Sequence, residues 1–141
     1  MDACLSIGMK WRGADYDPRA SSRIRRGAGM SAADYLDRLQ ARRDVISRVS
    51  VRIEGFDALV MPTAHVLPPR TAALGEEVAY TAANLAALRN PILVNMMEGC
   101  AISVPAARPP EPPVGVMLAA AGGRDRRPLA IAAAAEAAIA T

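Results

Sequence analysis

Aromatic side chains are scarce in this sequence: one Trp, one Phe and three Tyr among 141 residues. The length suits one domain, but 30 residues are Ala, each burying little area, so the core is thin for its size. Lysine is scarcer still, since Lys10 is the sole example and the other 16 of 17 basic residues are Arg. The net charge of +3 is small. Arg19, Arg23, Arg25 and Arg26 cluster, yet the next Arg-rich run is interleaved with Asp34, Asp37, Asp44 and Glu54. Without a one-sided basic face or aromatics to stack on bases, this pattern is a solvated mixed-charge surface, and no nucleic-acid partner is expected.

Cysteine is almost absent. Cys4 and Cys100 cannot build the disulfide framework of a small secreted domain, and reduced thiols place the protein in the cytoplasm. No run approaches the roughly 20 apolar residues of a spanning helix, and the N-terminus has no signal-peptide pattern, so no membrane association is expected. The Ala-rich C-terminus follows Arg124, Asp125, Arg126 and Arg127 and reads as a soluble helix. No pair among Cys4, Cys100 and His65 has metal-ligand spacing. Neither a metal nor a cofactor is expected.

What is present reads as alternating helices and strands. Pro18, Gly27 and Gly29 confine a first helix to about residues 19–26. Ser31 and Asp34 form an approximate capping box ahead of a long helix, in which Tyr35, Leu36, Leu39, Ile46, Val49 and Ile53 recur near the 3.6 period and Gly55 ends the pattern. "FDALVMP" has the length of a buried strand. Residues 63–77 read as a loop, and residues 79–89 as a helix that Pro91 stops. "CAISVP" and "PVGVMLAAA" read as strands joined by the proline-rich "AARPPEPP". Asp125, Pro128 and the alanines after them set a last helix. The order is helix, strand, helix, strand, strand, helix.

Chemistry is sparse. Any Ser/His or Cys/His relay must pass through His65, the only histidine, in "PTAHVLPPR". Cys100 enters an apolar strand as a structural thiol would. Ser103 alternates with Ile102 and Val104 and lacks the sharp elbow of a serine nucleophile. Gly27 and Gly29 in "RRGAGMS" lack the rest of a phosphate loop, and "AAAGGRDRR" reads as a strand-to-helix turn.

Six stretches, "YDPR", "SRIRRGAGMSAADYLDRLQARRD", "FDALVMPT", "RNPILVNMMEGCAISVP", "PPVGVML" and "RDRRPLAIAAAAE", together resemble, in order and spacing, the C-terminal part of amidase signature enzymes. The resemblance divides the chain into an atypical N-terminal segment, residues 1–13, and residues 14–141 as the C-terminal part of an amidase domain. It implies an α/β fold, with strands belonging to a large mixed sheet flanked by helices. The implied parent reaction is hydrolysis of a carboxamide C–N bond by a Ser–cis-Ser–Lys triad with a backbone oxyanion site.

This sequence carries no Gly/Ser-rich segment for that triad, and Lys10 lies outside the matching stretches. The resemblance therefore assigns no catalytic residue here, and neither Cys100 nor Ser103 corresponds to the nucleophile. Arg23, which begins "RIRRG", resembles the substrate-holding Arg of related amidotransferase subunits. Pro91 departs from the Thr common in the family. Implied partners are a small amide in a complete enzyme, and a protein supplying the catalytic half or a second copy of this chain. A non-catalytic binding protein on the same scaffold is the alternative.

Overall fold

The computed structural model describes residues 15–108 and 110–139; the atypical segment 1–13 lies outside them. The chain divides into two compact units, Met1–Asp44 and Val45–Thr141.

In the first unit, Asp17 caps helix α1, Pro18–Arg25, its carboxylate accepting the Arg19 N–H at 2.8 Å. Pro18 sits in the first turn, where its missing N–H leaves no bond unmade. A single 3-10 turn, Arg26–Gly29, leads to helix α2, Ala32–Ile53. The expected capping box is present: Ser31 Oγ accepts the Asp34 N–H at 3.0 Å, and Asp34 Oδ2 accepts from Ser31 N at 3.3 Å and Ser31 Oγ at 2.6 Å. The Ser31 hydroxyl bond and then its N–H hold the Asp34 carboxyl below its ordinary value. A depressed carboxylate helps the helix above its unfolded pKa and loses that help as pH falls through the folded one.

The boundary between the units falls within α2. Leu39, Arg42, Ile46, Val49 and Ile53 form a half-buried stripe at helical spacing, whereas Tyr35 and Leu36 of the first turn are exposed. Arg42 thus joins the apolar stripe between Leu39 and Ile46.

The second unit holds a three-stranded antiparallel sheet of order β1-β3-β2, with β1 Leu59–Pro62, β2 Cys100–Pro105 and β3 Gly115–Ala120. Because β3 pairs on both sides, it carries four consecutive buried residues, Met117 to Ala120. β1 is not the buried strand expected from its length. As an edge strand it alternates, and Val60 is 68% exposed.

The register Met61↔Met117↔Ser103 puts odd-numbered residues of all three strands on one face. There Val94 of helix α3, Glu77–Met96, packs with Met117, Ala119, Leu59 and Met61. On the opposite face, helix α4, Arg126–Ile139, lays Ile131, Ala132, Ala135 and Ile139 over Val104, Leu118 and Ile102. Full burial of Leu118, Val104 or Met117 stabilises the fold by about 1.5–3 kcal/mol each. Small Ala119 and Ala132 are buried on opposite faces of the sheet, Ala119 toward α3 and Ala132 on α4.

Helix α3 overturns the expected stop at Arg89. It runs through Pro91 for a further turn, despite the lost backbone donor. Two contacts beyond the proline carry it: the buried Val94 side chain, and a two-bond C-terminal cap in which Gly99 N–H donates to Val94 O at 2.9 Å and Glu98 N–H to Asn95 O at 3.1 Å. The loop before α3 also contains a 3-10 turn, Thr71–Leu74. The expected α/β class is realised, and the three strands pair antiparallel throughout.

Candidate functional site

At the Pro62 and Pro105 ends of the edge strands, the odd-numbered face opens into a groove. Thr63 follows β1 directly and its N–H donates to Gly115 O at 2.8 Å, extending the pairing by one residue. Ser103 lies on β2, on the same face. Strands two apart in a sheet are separated by about 9.6 Å, too far for short side chains to meet over an ordinary central residue. Here the central residue is Gly115, and Thr63 Oγ1 and Ser103 Oγ meet over it at 2.5 Å. A Cβ on Gly115 would stand 2.6 Å from the Ser103 hydroxyl and 2.8 Å from the Thr63 hydroxyl. The glycine is there because the hydroxyl pair occupies its side-chain space.

A chain of hydroxyls has one hydrogen between the two oxygens and a second O–H, with lone pairs, left to offer outward. The pair forms the polar floor of the groove. His65 joins the lining from the loop after β1, and Leu67, Pro68, Pro113 and Val114 supply apolar walls. Asn90 of α3 anchors the end of β1, its Nδ2 donating to Pro62 O at 2.7 Å. Among the described residues, no Arg, Lys, Asp or Glu lines the groove.

The structure brings His65 and Ser103 to one groove, but among the described residues no hydrogen bond joins them. A serine nucleophile needs a base about 2.6–3.2 Å away, and the bonded neighbour of Ser103 is a threonine. Cys100 is half-buried at the far end of β2, its thiol directed at Ala120 O (3.8 Å) and Ala121 O (3.5 Å). Arg23 lies exposed on α1 in the first unit, where it is not without a partner. The turn before α4 is tight, with Gly123 at φ +79 and Gly122 too close to Glu98 O to admit a Cβ; Arg127 pairs there with Asp57.

Thr63 and Gly115 were not singled out by sequence reasoning. The available signal was an alternation count: strand ends at Pro62 and Pro105 leave Thr63 and Ser103 on one face, but only the folded sheet shows that Gly115, opposite Pro105, leaves the space in which the two hydroxyls meet. Among the described residues no group of three or more His, Cys, Asp or Glu converges for a metal, and no helix is long and apolar enough to cross a membrane.

Comparison with known proteins adds three observations. The profile of the family described as Amidase matches residues 3–129. A 2-amino-5-chloromuconic acid deaminase from Comamonas testosteroni is 30% identical over 89 residues, which are 63% of this chain and 19% of that protein. A solved structure described as an amidase superposes with a TM-score of 0.71 at 20% identity, over 95% of this chain and 31% of that one. The chain thus spans less than a third of the length of either protein.

Proposed function

The chain belongs to the amidase family, and from that premise we propose that it is the C-terminal part of an amide hydrolase, inactive by itself. Residues 14–141 supply scaffold and part of the substrate surface, while nucleophile, relay serine and lysine come from polypeptide this sequence does not contain. The observation that carries this reading is the makeup of the groove. Among the described residues that line it, the two hydroxyls bond each other and none is a lysine.

The test is ammonia release, a readout suited both to simple amides and to the deamination for which the Comamonas relative is named. The purified chain is expected to release none above buffer from a panel of primary amides. Release at a rate proportional to chain concentration overturns the inactive reading.

A second reading, complementation of a separately encoded catalytic half, is favoured by the uncovered apolar surface of the second unit. Val60 is 68%, Leu93 52% and Ile92 41% exposed, and β1 and β2 each pair on one side only. Such edges accept further strands. Co-purification of a protein with a Gly/Ser-rich segment and a lysine upstream of it supports this reading, and recovery of the chain alone counts against it. In a complete enzyme we assign Arg23 to substrate contact. Arg23→Lys should then raise KM about tenfold or more, as expected where a guanidinium fork is lost, and an unchanged KM removes the assignment. The free Cys100 thiol supports a cytoplasmic location, which fractionation of cells expressing the chain checks.

A further inference from the structure

Helix α3 is apolar on two opposite sides. Val94 turns one side onto the sheet against Met117 and Ala119, while on the other Val78 is 82%, Leu85 58%, Ile92 41% and Met96 46% exposed. With Ala82 and Arg89 these outer residues recur in alternating steps of four and three, the spacing of a seam that faces another helix. A helix apolar all round belongs in an interior, between two packed layers. The sheet is one layer.

The charges of α3 indicate what forms the other. The helix carries two, Glu77 in its first turn and Arg89 within the seam. Parallel to a copy of itself, α3 would set Arg89 against Arg89. Antiparallel, with Leu85 against its own counterpart, it sets Val78 on the partner's Ile92 and Arg89 opposite the partner's Thr81, one turn or about 6 Å along the axis from the partner's Glu77. Thr81 Oγ1 donates to Glu77 Oε1 at 3.4 Å, so the carboxylate reaches along the helix toward that turn. A guanidinium spans the remaining gap, and two-fold symmetry makes the contact twice. We propose that two copies of this chain pair antiparallel through the outer face of α3, about an axis at Leu85, with Arg89 of each copy bonded to the partner's Glu77. One helix supplies the apolar seam, the cation and the anion, so the surface is complementary to itself. The inference goes beyond the amidase reading and does not depend on it.

The experiment measures the dimerisation constant of the full chain by sedimentation. A seam about 30 Å long is a small interface, so dimers are expected over roughly the micromolar range. Arg89→Glu sets carboxylates together at both ends and is expected to weaken the dimer about three- to tenfold, whereas adding Glu77→Arg to it restores the wild-type constant to within about threefold. A variant that merely loosens the fold gives no such rescue. Leu85 is exposed, so Leu85→Glu leaves the fold in place and is expected to abolish the dimer by facing two carboxylates across the axis. Leu85→Cys should form a disulfide-linked dimer on mild oxidation, beyond any from the wild-type thiols, and this keeps the test open if a charge variant fails to fold. A chain that stays monomeric overturns the inference. So does association that Leu85→Glu and Arg89→Glu leave unchanged, as a sheet-edge contact would, and so does a different protein recovered on α3 in place of a second copy. The hydrolase reading is decided separately, by ammonia release.

Discussion

Glu98 occupies a position that chemistry usually reserves for glycine. It stands at the residue after the α3 cap with φ +54, inside the two-bond motif that ends the helix. A side chain in the left-handed region costs about 1–2 kcal/mol, and α3 bears that cost because the next residue must be Gly99, where a Cβ would lie 2.7 Å from Ala120 O. The sequence "MEGC" offers one glycine, and close packing against β3 claims it. Glu98→Gly is therefore expected to raise stability by about 0.5–1 kcal/mol, less the entropy that glycine adds to the unfolded chain. A urea midpoint that stays level or falls would show that the carboxylate contributes more than the strain removes. This feature could not be read in advance, since "MEGC" suggests a turn at Gly99 and gives no hint that the residue before it takes the positive φ. By contrast, the Ser31–Asp34 box was legible because every atom it needs lies within four residues.

At the level of elements, local signals served well wherever one segment decided its own state. The long α2 follows from its capping box and periodicity, and α4, with Pro128 buried in its first turn, from its proline and alanine run. The misread elements are those whose state depends on a distant partner. Pro91 reads as a helix stop until Val94 is seen packed on Met117 and Ala119. β1 reads as buried until the strand order makes it an edge. The hydroxyl pair needs the registers of two ladders at once. Since α3 tolerates Pro91 through contacts elsewhere, removing the proline should release a latent gain. Pro91→Ala restores one backbone donor and is expected to stabilise the chain by about 1–3 kcal/mol, bounded by the helix-interior penalty of proline. A lower thermal midpoint would mean instead that the proline helps to position Asn90 against Pro62 O.

On the scale of the whole chain, the α/β architecture and the family were legible from six ordered stretches, while the groove was not. The exposed edge of β1 has a measurable consequence in solution. Sedimentation should show a mean mass that rises with concentration, and Val60→Lys, placing a charge on that edge, should shift the distribution toward monomer. A mass independent of concentration would show that the edge is protected.

The strand order also fixes a timetable. β1 and β2 never touch each other through backbone bonds; both wait for β3, which begins at residue 115 of 141. During synthesis most of the chain must leave the ribosome before the first ladder can close, and both ladders then close around the same strand. Residues 59–62 and 100–105 spend that interval as unpaired apolar segments, and the contact between Thr63 and Ser103 marks the moment the wait ends.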